Sequence, residues 1–380
     1  MKKKYIIFSI VTLVLLVALI TSFNYFKTTN TYIDDSFNNQ TKISKGISMN
    51  LEQTAGAGDY KTVTRSSWPT EGYKFNAELS RCENGSTLSW DDTKKAVIVS
   101  GNLSDKCYVY FDLARFDETC DGSTLACRIA KQYTGTQGEN SLYYHDSTLT
   151  NGAGDNSYRY AGASNNVNNY ICLGSDATTC PDANLFRIIG VFGDQTKVIR
   201  AKSVGDKEWD TNDSNTWSTS SLNTYLNGEY LTSLGTLADK IATTTWKVGG
   251  GSTTYLYDVP KTAYQYEVGS SASTTTYDAK IGLMYVSDYG FAADQSGWTT
   301  KLSSYNSNKS KNWLNTGKYI EWTLSRNSDN TDNAFGVIST GYVDNYNVTK
   351  SYVVRPSFNL LSSVKYVSGS GSMSGPVRVN

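Results

Sequence analysis

Lysines at positions 2–4 are followed by an uncharged and mostly apolar run from Tyr5 to Phe23. At a rise of about 1.5 Å per residue, such a run forms a helix of roughly 28 Å, close to the thickness of the hydrocarbon core of a bilayer. Lysines that flank a membrane span favour its cytoplasmic side. The pattern therefore predicts an N-terminal membrane anchor over residues 1–26. It also predicts a single-pass protein of the cell membrane whose remaining chain is extracellular.

The same leader is open to a second interpretation, because a cleaved signal peptide also combines lysines with an apolar run. A cleavage site needs small residues at alternate positions. The segment Ile20-Thr21-Ser22 meets that requirement poorly, which favours an uncleaved signal anchor. The membrane is accordingly an expected partner, contacted through this helix.

The composition of the chain excludes nucleic acid as a partner and indicates β-structure. The formal net charge is +0 and only 18% of the residues are charged, so there is no basic face of the kind that phosphate backbones require. Aromatic residues make up 13% of the chain, and Tyr alone accounts for 28 residues. Low charge with many aromatic and hydroxyl side chains is typical of an extracellular β-rich protein, whereas a disordered chain would contain few aromatic residues.

The cysteines predict a disulfide framework. The six are Cys82, Cys107, Cys120, Cys127, Cys172 and Cys180. An even number in an exported chain indicates three disulfide bonds, and nearest-neighbour spacing favours Cys82–Cys107, Cys120–Cys127 and Cys172–Cys180. An alternative is that some of them are free buried thiols. Zinc would need close pairs such as C-x-x-C, which the sequence lacks. The oxygen-rich segment Asp329–Asp332 could bind calcium, but a solvated loop is favoured there, so neither a metal nor another cofactor is expected.

Changes in residue pattern divide the ectodomain. Residues 27–51 are polar and lack periodicity, which is typical of a stalk or linker, or of a first exposed strand. Residues 52–113 contain short β-branched and aromatic runs separated by turn signals, together with a long-range cysteine pair, and they predict a small β-sandwich module. Residues 114–139 are interpreted as a linker and residues 140–380 as one C-terminal domain. Within that domain, the near-continuous apolar run Leu185–Phe192 predicts a buried strand.

The C-terminal part contains a W-x-x-x-R motif at Trp322 and Arg326 and a V-R-P motif at Arg355 and Pro356, downstream of the Leu185–Phe192 run. This order resembles that of uncharacterised surface proteins of gut Firmicutes whose C-terminal part is similar to sulfatase-modifying-factor (formylglycine-generating) domains. The resemblance covers roughly residues 140–380 and implies the C-type-lectin superfold. Structural roles are expected for these four residues. The predicted fold class is thus a β-rich α+β protein with an N-terminal transmembrane helix, a small β-sandwich and a C-type-lectin-like, sulfatase-modifying-factor-like domain.

The resemblance does not extend to catalysis. Formylglycine-generating enzymes use a catalytic cysteine pair with copper in the C-terminal half of the domain, and this chain has no cysteine after Cys180. The single histidine, His145, lies beside Asp146, but adjacent residues on an extended segment point to opposite faces and do not orient each other. The chain is therefore predicted not to be an enzyme.

Residues 333–350 concentrate Tyr and Asn, which combine rigid aromatic area with adaptable hydrogen bonding. The predicted ligand-binding residues are Tyr342, Asn345, Tyr346 and Asn347, with Trp298 or Trp313. The expected function is recognition or adhesion at the bacterial cell surface, toward a glycan or a surface protein. Two alternatives stay open: a purely structural envelope protein without a ligand, and an enzyme of the sulfatase-modifying type.

Overall fold

The structure is a computed structural model that describes residues 46–380 except 54–55, 57, 65–66, 70–71, 103 and 318, together with a strand at residues 31–32. The described chain forms two compact units that divide between Thr119 and Cys120. Both units are rich in β-strands, and each has its own buried core.

The described part of the first unit contains two sheets. Its strands are β1 (Thr31–Tyr32), β2 (Ile47–Glu52), β3 (Tyr60–Val63), β4 (Tyr73–Phe75), β5 (Arg81–Cys82), β6 (Thr87–Asp91), β7 (Ala96–Ser100) and β8 (Cys107–Leu113), and a short helix follows at Phe116–Thr119. One sheet has the order β1-β7-β6 and the other the order β3-β2-β8-β4, with β5 also paired to β8. The β2 and β8 strands are parallel.

Both sheets of the first unit contribute to one core, which is centred on Phe111. The ring of Phe111 lies 5.6 Å from that of Trp90 and 5.9 Å from those of Trp68 and Phe75. Residues of β2 such as Met49 are buried in the same core. The strand β1 and all but the last residue of β2 lie within residues 27–51, so this segment contributes to both sheets of the first unit.

The described residues of the second unit form sixteen strands. They are β9 (Leu142–His145), β10 (Ser157–Tyr160), β11 (Tyr170–Cys172), β12 (Leu185–Phe192), β13 (Gln195–Arg200), β14 (Asp206–Glu208), β15 (Thr244–Lys247), β16 (Thr276–Ala279), β17 (Ile281–Gly282), β18 (Glu321–Arg326), β19 (Asn333–Val337), β20 (Val343–Asn347), β21 (Ser351–Val353), β22 (Ser357–Leu360), β23 (Tyr366–Ser368) and β24 (Val377–Val379).

Short helices connect these strands. The α-helices are Leu125–Ala130, Ser221–Tyr225, Leu231–Ser233, Thr253–Leu256, Pro260–Glu267 and Val286–Phe291. The 3₁₀-helices are Glu139–Ser141, Asp182–Asn184, Trp217–Thr219, Gly235–Lys240, Gln295–Gly297 and Leu302–Lys311, and a π-helical turn spans Leu226–Tyr230. The helix Leu125–Ala130 lies within residues 114–139, which were interpreted as a linker. It is docked here because Leu125 N donates to Val364 O at 2.7 Å.

The strands described for the second unit form three sheets. The largest has nine strands, with the path β17-β22-β13-β12-β11-β24-β23 and with β9 and β10 joined through β12. A five-stranded sheet has the order β14-β21-β18-β19-β20, and β15 pairs with β16. The buried strand predicted from the apolar run is confirmed as β12, which is buried from Leu185 to Val191 and lies inside the large sheet.

The predicted disulfide framework is confirmed, including its pairing. Bonds join Cys82 to Cys107, Cys120 to Cys127 and Cys172 to Cys180. The first connects β5 to β8 in the first unit, and the other two close short loops of the second unit. All six cysteines are therefore paired, and the alternative of free buried thiols is excluded.

The predicted fold class was wrong where it included a transmembrane helix as an element of the fold. No helix among the described residues is long and apolar enough to cross a bilayer. The longest α-helix of the described chain, Pro260–Glu267, has 8 residues, whereas a span needs about 20. The segment Tyr5–Phe23, on which the prediction depended, lies outside the described residues. The β-rich character of the chain is confirmed.

Candidate ligand-binding cleft

The five-stranded sheet of the second unit is centred on β18, which is almost completely buried along its length. On one side β18 pairs antiparallel with β19, with Trp322 opposite Gly336. On the other side it runs parallel to β21, where Glu321 is opposite Val353. The backbone N–H of Val353 donates to Ile320 O at 3.0 Å and strengthens this junction. The chain thereby brings the segments around residues 320 and 352 side by side.

A cleft of about 470 Å³ opens at this junction, and we call it the tyrosine cleft. Its lining residues are Asp206, Tyr319, Ile320, Ile338, Ser339, Tyr346, Ser351, Tyr352 and Val353. Tyr319 is 83% exposed, so its ring projects into solvent. The cleft combines aromatic surface with hydroxyl groups and one carboxylate, a lining that is suited to a polar ligand with apolar faces.

The aromatic side of the cleft is held by ring packing. Tyr346 and Tyr352 meet edge to face with centroids 5.3 Å apart, and the Trp322 ring lies 4.9 Å from Tyr352 and 6.5 Å from Tyr346. Trp322 is buried, and its Nε1 donates to Lys207 O at 3.0 Å. Packing of this kind restricts the rings to one arrangement, so a ligand would meet a preformed surface.

Because Gly336 has no side chain, Ile320 and Tyr346 can pack closely against β19 at this position. A Cβ atom at this position would lie 2.8 Å from Ile320 Cγ2 and 3.5 Å from Tyr346 Cδ2. The first distance is shorter than a carbon–carbon van der Waals contact. A larger residue would therefore displace Ile320, which lines the cleft, or move the backbone of β19.

The hydroxyls of Tyr346 and Tyr352 stay protonated across the physiological pH range. Burial, together with the nearby Asp344 carboxylate, raises the pKa of Tyr346. Burial also raises the pKa of Tyr352. Asp344 is itself engaged, because the hydroxyl of Tyr257 donates to its Oδ1 at 2.5 Å. The hydroxyls of Tyr346 and Tyr352 can therefore each donate as well as accept a hydrogen bond.

The predicted binding residues on β20 fall into different environments. Tyr346 lines the cleft, and Tyr342 is half-buried but does not line it. The Asn345 side chain is occupied within the protein: its Oδ1 accepts from Asn333 at 2.7 Å and its Nδ2 donates to the Tyr257 hydroxyl at 2.6 Å. Asn347 Nδ2 donates to Asp213 Oδ1 at 2.8 Å. The two asparagines therefore position strands and loops.

The two predicted tryptophans belong to the core. Trp298 is 0% exposed, and its Nε1 donates to Ala293 O at 2.9 Å. Trp313 is 2% exposed, and its Nε1 donates to Tyr160 O at 2.8 Å. Neither ring presents a face to solvent, so neither can contact a ligand at the surface.

The arginines of the two C-terminal motifs bind loops and strands of the protein itself. Arg326 Nε donates to Gly249 O at 3.0 Å. Arg355 is 2% exposed, and its Nε lies 2.7 Å from Glu321 Oε1 while its Nη2 donates to Leu314 O at 2.7 Å. The Pro356 carbonyl accepts a hydrogen bond from the backbone of β13.

Of the three tyrosines that line the cleft, Tyr319 and Tyr352 were not predicted from the sequence. Tyr319 immediately precedes the buried β18 strand. In β21, Ser351 is exposed, Tyr352 is half-buried and Val353 is buried. An aromatic residue at the partly exposed position of a short strand was the available signal, but local sequence does not show that these two segments lie side by side.

His145 is a buried core residue. Its Nδ1 accepts a hydrogen bond from Ala153 N at 3.1 Å, and its ring packs 4.9 Å from Phe291 and 5.0 Å from Trp298. Burial holds its pKa well below the usual value, with a smaller contribution from the charge of Arg159. The imidazole is therefore neutral. Among the described residues, no group of three or more His, Cys, Asp or Glu side chains is placed to hold a metal ion.

Residues 193–362 match a family model described as a domain of unknown function (DUF6273). The matched segment contains every lining residue of the tyrosine cleft. No curated protein is significantly similar to the chain. No solved structure is significantly similar to it either.

Proposed function

We propose that the protein is an exported recognition protein and that the tyrosine cleft of its second unit binds a glycan. The observation that carries this proposal is the grouping of Tyr319, Tyr346 and Tyr352 around one cleft. Sugar rings present apolar C–H faces that pack on aromatic rings, and their hydroxyls match the donors and acceptors of tyrosine, serine and aspartate side chains.

The proposed place of action is outside the reducing cytosol. Three disulfide bonds in one chain support this, because such bonds persist in oxidising compartments. At the cell exterior, glycan binding by this protein would support recognition or adhesion.

The proposed activity is binding without turnover. Glycoside hydrolysis uses two carboxyl groups about 5–9.5 Å apart. Among the described lining residues of the cleft, Asp206 is the single carboxylate. A lone acid can accept hydrogen bonds from sugar hydroxyls, but it cannot supply both the acid and the nucleophile or base of that reaction.

A glycan array probed with the full-length protein tests this proposal. We expect binding to a subset of glycans, and we expect Tyr319→Ala and Tyr352→Ala to weaken it at least tenfold. Tyr342→Ala is the matched control, since it removes a half-buried tyrosine of the same sheet region outside the cleft, and it should bind as the wild type does. If the folded wild type binds no glycan, the purely structural alternative is favoured. If Tyr342→Ala alone abolishes binding, the site lies elsewhere.

A further inference from the structure

A lysine and an aspartate meet in the interior of the second unit. Lys197 Nζ, on β13, lies 2.5 Å from Asp288 Oδ2, on the helix Val286–Phe291. The two side chains are only 6% and 2% exposed. The residues are 91 positions apart in the sequence, so their contact joins two distant segments of the unit.

Aromatic rings surround the Lys197–Asp288 pair, and a second ion pair, between Arg159 and Asp155, lies next to it. The Lys197 ammonium lies 4.6 Å from the Tyr285 ring centroid and 5.5 Å from that of Trp246. Arg159 Nη2 lies 2.6 Å from Asp155 Oδ2, and its Nη1 is 3.5 Å from Asp288 Oδ1. The charge of Arg159 therefore has its own counterion, and Lys197 and Asp288 can lose their charges without leaving Arg159 unpaired.

The carboxyl group of Glu267, from the helix Pro260–Glu267, contacts the first turn of the helix that carries Asp288. Glu267 accepts hydrogen bonds from Val286 N at 3.0 Å and from Ser287 N at 2.9 Å, the two residues immediately before Asp288. Glu267 is 2% exposed, and burial raises its pKa to about 7. A substantial fraction of this side chain is therefore a neutral carboxylic acid at neutral pH, able to give up a proton and take one back.

From this geometry we infer that Lys197 and Asp288 form a covalent amide bond spontaneously after folding, so that the mature protein carries an intramolecular isopeptide cross-link. Transfer of one proton within the ion pair gives a neutral amine and a neutral carboxylic acid. The Nζ lone pair attacks Asp288 Cγ, the N–C bond forms, and one C–O bond breaks. The departing oxygen leaves as water with one proton from Nζ and the carboxyl proton, so no oxidant or further reactant is needed.

Two physical effects favour this reaction in the core. An ammonium in an apolar interior costs several kcal/mol of desolvation, and burial lowers the pKa of Lys197, so its neutral amine is more accessible there than in water. Holding the amine against the acid replaces a bimolecular encounter with an effective concentration of about 10⁵–10⁸ M in well-oriented systems. Glu267 acts as a positioning residue, because its hydrogen bonds to Val286 N and Ser287 N order the turn that presents Asp288.

Intact-mass spectrometry of the full-length protein, after reduction and denaturation, measures the cross-link directly. We expect the wild type to be lighter by one water than its reduced sequence mass. We also expect a tryptic digest to contain one branched peptide with both Lys197 and Asp288. A wild type at its full mass, with trypsin cleaving after Lys197, would overturn the inference. Because it is made on the wild-type protein, this measurement does not depend on whether a variant folds.

Two variants locate the reaction. Lys197→Arg keeps a cation beside Asp288 but has no amine nucleophile, so it should have its full mass; loss of water in this variant would place the reaction elsewhere and overturn the assignment. Glu267→Gln should keep the near-ultraviolet circular dichroism of the wild type while forming the cross-link at least tenfold more slowly. A purely structural role for Glu267 predicts an altered spectrum with an unchanged rate, and that result would overturn its role as a positioning residue for the reaction.

Discussion

Replacing Arg355 by methionine leaves the Glu321 carboxylate buried without its partner. In the native protein Arg355 Nε lies 2.7 Å from Glu321 Oε1, and the two side chains are 2% and 4% exposed. Breaking such a pair by removing one member costs about 3–5 kcal/mol. At about 2–4 °C per kcal/mol for a unit of this size, the melting temperature of the second unit should fall by roughly 6–20 °C at neutral pH.

The cost of this substitution should depend on pH. Burial raises the pKa of Glu321, and the charge of Arg355 opposes that rise. Without Arg355 the pKa rises further. A carboxyl whose pKa is higher in the folded than in the unfolded state contributes stability below its unfolded pKa, and it loses that contribution as the pH rises through the folded pKa. The deficit of Arg355→Met relative to the wild type should thus be small at acidic pH and largest at neutral pH.

Thermal unfolding followed by tryptophan fluorescence suits this test, because six of the eight tryptophans lie in the second unit. The double variant Arg355→Met/Glu321→Met should recover most of the loss, since it leaves no unpaired charge. Lys202→Met is the matched control: it breaks an exposed pair with Asp182, whose side chains are 59% and 65% exposed, and should cost less than about 1 kcal/mol. A loss of stability in Arg355→Met as small as that in Lys202→Met would refute this account. A loss of stability in Arg355→Met that is the same at pH 5 and at pH 7.5 would refute it as well.

Three further outcomes follow from the packing. Gly336→Ala should destabilise the protein by about 1–3 kcal/mol through overpacking and should weaken glycan binding by displacing the surface beside Tyr346, as measured by unfolding and titration calorimetry. Trp298→Phe should lower stability by about 1–2 kcal/mol, because the buried hydrogen bond of Trp298 is lost, and it should leave glycan affinity unchanged. A loss of affinity without a loss of stability would show that Trp298 contributes to ligand binding. Replacing both Cys172 and Cys180 by serine should cost about 2.5 kcal/mol by chain entropy, seen as a lower melting temperature without reductant.

Local chemistry was sufficient to predict some features of the fold. The β12 strand was recognised because a run as apolar as Leu185–Phe192 is compatible only with burial on both faces. The disulfide pairing was recognised because short separations along the chain favour neighbouring cysteines. Tyr346, which lines the cleft, was among the predicted binding residues because its segment is dense in tyrosine and asparagine, and its role in binding stays a prediction.

The remaining features depend on contacts between distant segments. A tryptophan contacts a ligand or belongs to the core depending on which segments pack against it. Trp313 Nε1 donates to the carbonyl oxygen of Tyr160, a residue 153 positions away along the chain. The cleft likewise exists because β21 pairs in parallel with β18, with Glu321 opposite Val353. No residue pattern within either strand encodes that pairing, so Tyr319 and Tyr352 could not be assigned to one site from the sequence.

The same junction links the stability of the second unit to the shape of its cleft. Glu321 and Val353 form the one registered pair between β18 and β21, and the Arg355–Glu321 ion pair lies beside it. Because Val353 lines the cleft and Tyr352 precedes it on β21, loosening this junction should separate the walls of the cleft. Arg355→Met should therefore lower stability and glycan affinity together, and both losses should diminish at acidic pH. Removal of the Tyr352 ring, in contrast, should lower affinity by a factor that does not change with pH, because its hydroxyl stays protonated.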